Sequence, residues 1–188
     1  DTTVQGIILQ LPIDDVSQTE ELCRLIAPDK DVDGLSADGI YPSATAQAID
    51  WLLAGYNVEL SDKQIAIVGR GKLVGAPLEK MWRQRSLDVH VYDKAKPATA
   101  AELQKCAVIV TATGVPHLIT AEMIAPGAVV VDAGTASEGG VLVGDVDDAV
   151  RQRSDITITL KKGGVGPLTY AVLFDHLIEA CLRQLGKL

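Results

Sequence analysis

The chain is short of basic residues. Lys and Arg number 17 against 25 Asp and Glu, a formal net charge of −8 at pH 7. That deficit argues against a nucleic-acid partner, which calls for a cationic face. Any anion site must then be built from local Lys, Arg or backbone N–H groups. Cysteine is scarce as well: Cys23, Cys106 and Cys181 stand far apart with no CxxC motif. They read as small buried hydrophobes in a reducing compartment, not as a disulfide framework. The three histidines, His90, His117 and His176, show no metal-ligand spacing, so no metal site is expected and each takes a surface or packing role. No apolar run approaches the roughly 20 residues of a membrane span, and no signal peptide is visible. The expected location is the cytoplasm, with no membrane partner. What is present is ordinary for a globular chain: 47% hydrophobic and 22% charged residues over 188 positions, enough for one domain or for one domain plus part of another.

The chain is organised around the stretch from Ile65 to Pro77, IAIVGRGKLVGAP. Ile65–Val68 is a short β-branched run of the kind that forms a buried strand. Gly69, Gly71 and Gly75 follow, and 75–85 reads as helix. In a strand–glycine turn–helix unit a dinucleotide's phosphates sit on free backbone N–H groups at the helix N-terminus. Glycine suits such a turn because a Cβ holds the phosphates away and because the turn can require positive φ. The spacing GxGxxxG is one residue longer than the common form, and glycine turns after strands also serve plain packing.

Gly6–Leu11 reads as a strand stopped by Pro12, and 17–27 as a helix with Ser17 or Thr19 as N-cap. The aspartates at 29, 31 and 33 resemble a calcium loop, but the downstream glutamate is missing. Either they form a solvated turn, or one of them faces a ligand while the others hold the turn. Residues 36–43 read as loop and 44–53 as helix, closed by Gly55. After the strand 64–68, strands at 89–92, 108–111, 128–131 and 156–160 alternate with helices at 98–105 and 121–124, and 169–185 is a final helix. That succession predicts an α/β fold, a Rossmann-like parallel sheet with helices on both faces. The site belongs on the loops at the carboxyl ends of its strands: 69–75, 93–97, 113–116, 134–138 and 161–167, all but the second containing glycine.

With these pieces in order, the chain resembles the bifunctional methylenetetrahydrofolate dehydrogenase/methenyltetrahydrofolate cyclohydrolase family. The matching segments are GIILQLP (6–12), PDKDVDG (28–34), VGRGKLVGAP (68–77), ATGVP (112–116), PGAVVVDAG (126–134), VGDV (143–146) and GGVGPLT (163–169). The resemblance implies oxidation of 5,10-methylenetetrahydrofolate with a nicotinamide cofactor, followed by hydrolysis of the methenyl product to 10-formyltetrahydrofolate, in a homodimer of one-carbon metabolism. It implies that Gln10 orients a catalytic lysine and that Asp33 hydrogen-bonds the pterin, whose N–H edge suits a carboxylate. It implies substrate contacts at Pro12, Gly163, Gly164, Val165, Gly166, Pro167 and Thr169. Cofactor contacts are implied at Gly69, Arg70, Gly71, Val74, Gly75, Pro77, Lys94, Thr113, Gly114, Val115 and Thr135. By the same resemblance, 1–43 is the remnant of an N-terminal α/β folate domain, 44–168 the cofactor domain, and 169–188 a helix packing back on the N-terminal part.

The family's lysine, preceded by a tyrosine, lies upstream of the segment matching 6–12, so no lysine of this sequence stands at its position. The sequence is therefore read as a fragment, and a nucleotide-binding module without catalysis is the rival reading. TLKKGG at 159–164 replaces the family's TPVPGG and adds Lys161 and Lys162, which meet either the glutamate tail of folate or solvent. Arg70 and Lys94 favour NADP, because a guanidinium can pair with a 2′-phosphate. Asp93, at the end of the next strand, keeps NAD open, since an acid there commonly takes the ribose hydroxyls.

Overall fold

The structure is a computed structural model that describes residues 1–36 and 38–188, the side chain of residue 138 excepted. Its centre is a five-stranded parallel sheet in the order β2-β1-β3-β4-β7, formed by β1 (Gln64–Val68), β2 (Asp88–Tyr92), β3 (Val108–Thr111), β4 (Val129–Asp132) and β7 (Thr157–Ile158). The inner strands β1, β3 and β4 are apolar on both faces, as strands covered on both sides must be. Ile65, Ile67, Val108, Val110 and Val131 point to a layer made by α2 (Ala44–Gly55), α3 (Gly75–Gln84) and α6 (Val165–Gln184). Ala66, Val68, Ile109 and Val130 point the other way, onto Leu103 of α4 (Ala100–Leu103), Ile119, Ile124 and Val150 of α5 (Asp148–Arg151).

Trp82 of α3 is fully buried, and its indole N–H donates to Asp50 of α2 at 2.8 Å, tying the two helices together. β1 has β2 on one side and β3 on the other, so the chain leaves it in opposite directions. That reversal opens a crevice above the carboxyl ends of β1 and β3.

Several expectations need correction. Residues 6–11 form no strand. Ile7 makes a single bridge to Asp31, and the segment has no second partner among the described residues. The helix read at 17–27 is a 3₁₀ turn, Val16–Gln18, followed by α1 (Thr19–Leu25), and Asp15 is the cap, accepting from Ser17 N at 3.0 Å. α2 runs through Gly55; Asn57, with φ +54°, takes the left-handed conformation just beyond it. Residues 134–138 are only partly loop, because β5 (Ala136–Glu138) and β6 (Val141–Val143) make an antiparallel hairpin.

The last helix begins at Val165, four residues early, so a domain boundary at 168/169 falls inside it. Pro167 sits in its first turn, where the missing N–H is not needed. By length and composition alone, α6 is apolar enough to cross a membrane, contrary to expectation. It buries Val172, His176 and Ala180, while Tyr170, Phe174 and Ile178 stay exposed along its outer side. The loop at 36–43 contains residue 37, which lies outside the described residues.

Candidate functional site

Two cavities flank the loop between β1 and α3. The first, about 360 Å³, is formed by Gly69, Arg70 and Gly71, by Asp93 and Lys94 after β2, and by Ala112, Thr113 and Val115 after β3. Gly69 has φ +103°, and a Cβ there would lie 2.4 Å from the Ala112 carbonyl oxygen. No residue but glycine fits that turn. At Gly71 a Cβ would meet nothing within 4 Å. Of the three glycines, this is the one with open space before its backbone, as close approach of a phosphate requires. Gly75 serves packing instead, since its Cβ would lie 1.8 Å from Gly69 O. Gly75 and Pro77 do not line this cavity, and Pro77 faces a different recess, beside Lys72 and Lys80. Gly114 sits with φ +68° between two lining residues, Thr113 and Val115.

The second cavity, about 610 Å³, brings together Gln10, Asp33, Val74, Thr135 and the bend 163–167 with Thr169. Segments far apart in sequence thus share one cleft. Val74 and Thr135, expected against the cofactor, line this cleft and not the first cavity. Pro12 is exposed and lies outside it, and Leu11 holds that part of the wall. Gln10 is exposed, its side-chain amide donating to the neighbouring Leu11 carbonyl at 3.0 Å.

The aspartates of the 29–34 turn divide their work. Asp31 is fully buried and accepts from Ser36 N at 2.7 Å and Ser36 Oγ at 2.6 Å, which holds the turn. Asp33 borders the cleft, and its carboxylate takes no hydrogen bond from any described residue. Burial first, and then the nearby Asp31 charge, push its carboxyl above the usual range. Behind the turn, His176 of α6 is buried against the Tyr41 ring, with Nδ1 2.7 Å from Val32 O and Nε2 3.2 Å from Gln47 Oε1. At the opposite wall, Lys161 is paired with Asp148 at 2.8 Å, whereas Lys162 lines the cleft with no ion-pair partner among the described residues.

Beneath both cavities lies a polar cluster that no sequence motif predicts. Asp132, at the end of β4, accepts from Thr111 Oγ1, from the N–H groups of Gly134, Asp145 and Val146, and from the Arg151 guanidinium. Asp145, fully buried, accepts from Thr113 N at 2.6 Å. Burial raises its carboxyl even so. Asp145 thus holds the loop after β3 and Asp132 the loop after β4, and the Asp145 N–H bond to Asp132 joins the two. The signal was the acid ending VVVD and the VGDV segment, legible as motifs but not as a contact. Asp93, the acid suited to ribose, uses Oδ1 to hold its own turn, accepting from Ala95 N at 2.8 Å and Lys96 N at 3.0 Å. Arg70 pairs not with Asp93 but with Glu79, at 2.8 Å.

A glycine-turn crevice at the switch point of a parallel sheet defines a dinucleotide-binding protein. Residues 43–185 match the family model described as tetrahydrofolate dehydrogenase/cyclohydrolase, NAD(P)-binding domain. The bifunctional protein FolD 1 of Rhodococcus jostii is 37% identical over 197 residues, which cover 100% of this chain and 66% of that protein. The solved structure of a 5,10-methylenetetrahydrofolate dehydrogenase from the silkworm Bombyx mori superposes with a TM-score of 0.87 at 33% identity, covering 100% of this chain and 71% of that one. The Trypanosoma brucei dehydrogenase–cyclohydrolase, solved in complex with NADP cofactor and inhibitor, gives 0.85 at 30% identity over 96% of this chain and 68% of that one. The chain belongs to the tetrahydrofolate dehydrogenase/cyclohydrolase family. It spans about two thirds of the length of the curated relatives it matches.

Proposed function

We propose that this chain serves the NADP-dependent oxidation of 5,10-methylenetetrahydrofolate to 5,10-methenyltetrahydrofolate and the hydrolysis of that product to 10-formyltetrahydrofolate. The observation that carries the proposal is the shared cleft. Gln10 and Asp33 lie on it together with 163–167 and Thr169, and the loop 69–74 separates it from the dinucleotide cavity. A packing role explains one glycine turn, but not a carboxylate that borders a built cleft beside it with no hydrogen bond from the described residues.

The fit to a dinucleotide is supported by the open face of Gly71 and the cationic rim of Arg70 and Lys94. The cofactor, when bound, supplies the hydride acceptor. The protein's share of the oxidation is placement. The substrate nitrogen beside the reacting carbon already pushes hydride out, so little acid–base machinery is needed. Asp33 accepts from the pterin N–H edge and fixes the ring against the 163–169 bend. The hydrolysis needs a proton-handling group, a role we assign to none of the residues named here.

We further propose a cytoplasmic homodimer assembled through the cofactor domain, acting in one-carbon metabolism that feeds purine biosynthesis. Val141 and Leu142 of the hairpin are exposed there. Sedimentation at micromolar concentration tests the dimer, and a monomer refutes it. The function itself is tested by reduction of NADP in the presence of 5,10-methylenetetrahydrofolate. Turnover with wild type and its loss in Asp33→Asn are expected. Unaltered folate kinetics in that variant would make the turn purely structural.

A further inference from the structure

Arg70 borders not only the dinucleotide cavity but also a second, polar recess formed with Glu79, Arg83, His90, Asp93 and Lys96. We propose that Glu79 determines the preference for a 2′-phosphorylated dinucleotide, as a positioning residue acting through Arg70. The proposal rests on the NADP reading above and names the device behind it.

Glu79 lies on α3 with its side chain only 13% exposed. One carboxylate oxygen accepts from Arg70 Nε at 2.8 Å, and the other from Arg83 Nε at 3.0 Å. Arg83 is itself tethered, donating from Nη2 to Val89 O at 3.0 Å. The carboxylate is thus fixed from both sides, and burial, which alone raises its pKa, is outweighed by the two arginine hydrogen bonds, so it stays ionised. Arg70 is held by its inner nitrogen, with no described partner on either terminal nitrogen. Its side chain is 56% exposed. A guanidinium braced at Nε presents its terminal pair as the fork that grips a phosphate through two parallel hydrogen bonds.

The surroundings suit a dianion. Arg70, Arg83, Lys94 and Lys96 outnumber Glu79 and Asp93, and Lys96 is held over the Tyr92 ring at 5.2 Å. Asp93 already contributes to keeping Arg70 protonated, though less than Glu79 does. Without Glu79, Asp93 is the remaining carboxylate to draw the guanidinium, and that move closes the phosphate seat.

The experiment is calorimetric titration of the 188-residue chain with NADP and with NAD, using wild type, Glu79→Ala, Glu79→Gln, Arg70→Ala and the Arg70→Ala/Glu79→Ala double variant, without folate. Losing the orientation of one bidentate contact is expected to weaken NADP about tenfold in Glu79→Ala, roughly the effect of one charge-assisted hydrogen bond. NAD affinity should stay within about twofold, since it has no 2′-phosphate for Arg70 to grip. Glu79→Gln keeps an acceptor for Arg70 and should fall between; it decides the matter if the alanine variant does not fold. In an Arg70→Ala background, Glu79→Ala should add nothing. Unchanged NADP affinity, or equal weakening of both dinucleotides, overturns the role of Glu79. A wild type that prefers NAD, or binds neither, overturns the cofactor reading instead.

Discussion

Replacing Asp132 by alanine should be among the most damaging single changes in the protein, and the structure says by how much. The carboxylate side chain is 3% exposed, and its partner Arg151 is 13% exposed. Breaking a buried ion pair by removing one member typically costs about 3–5 kcal/mol, because the other charge is left behind. The N–H groups of Gly134, Asp145 and Val146 and the Thr111 hydroxyl lose their acceptor in the same step. Each such loss is worth roughly 1–3 kcal/mol if water cannot enter. Water admitted into the space of the deleted carboxylate limits the total, so about 4 kcal/mol is expected, a large part of the roughly 5–15 kcal/mol that holds a domain together. With a urea m-value near 2 kcal/mol/M, the unfolding midpoint followed by circular dichroism should drop by about 2 M. A drop under roughly 0.5 M, the scale of an exposed pair, would refute the cluster's structural importance. A second arm separates the pair from the backbone contacts. Arg151→Ala combined with Asp132→Ala should be less harmful than the sum, with a coupling of about 1–3 kcal/mol. Strict additivity would show that the two charges do not depend on each other.

Other outcomes follow from single residues. Asp33 has a carboxyl raised by burial and by Asp31, so its folded-state pKa exceeds the unfolded value of about 3.9. The stability linked to its proton is present below that value and lost as pH rises through the folded pKa. Asp33→Asn should therefore raise the melting temperature at neutral pH, with the gain fading toward pH 4, while folate turnover falls. A lower melting temperature at pH 7 would contradict this. Gly69→Ala combines φ +103° with a 2.4 Å approach to Ala112 O, so it should abolish measurable NADP binding in titration. Retained affinity would mean that the turn can relax. Cys106 has its thiol pushed up to about 11, chiefly by burial, and should resist alkylation at pH 8 in the folded chain while reacting in denaturant. Rapid labelling of the native protein would contradict its burial.

How much of this was legible follows from how local each signal is. The strands at 64–68, 88–92, 108–111 and 129–132 are short runs rich in Val and Ile, and that composition declares them. The glycine turn and its helix were legible because the chemistry is contained in a dozen consecutive residues. Residues 6–11 carry the same apolar signal as the strands of the sheet, yet a strand is a statement about partners, and this segment has one bridge. Proline and glycine in 163–169 read as loop because their usual effect is to break helices. At a first turn that effect vanishes, and α6 starts there.

The site shows the same division more sharply. Asp33 and the 163–169 bend could be named from motifs, but the separate duty of Asp31 depends on Ser36 folding back onto it. Asp93 and Arg70 seemed rivals for each other, because in sequence only their distance from the glycine turn was visible. In the fold, Asp93 is occupied by its own turn, and a helix residue with no motif around it, Glu79, takes the arginine. Cofactor choice in this chain therefore depends on a side chain's supports as much as on its charge. Such supports come from the helix and strand beside the turn, so a pattern read along the chain finds the ligand-facing residues and misses those that hold them.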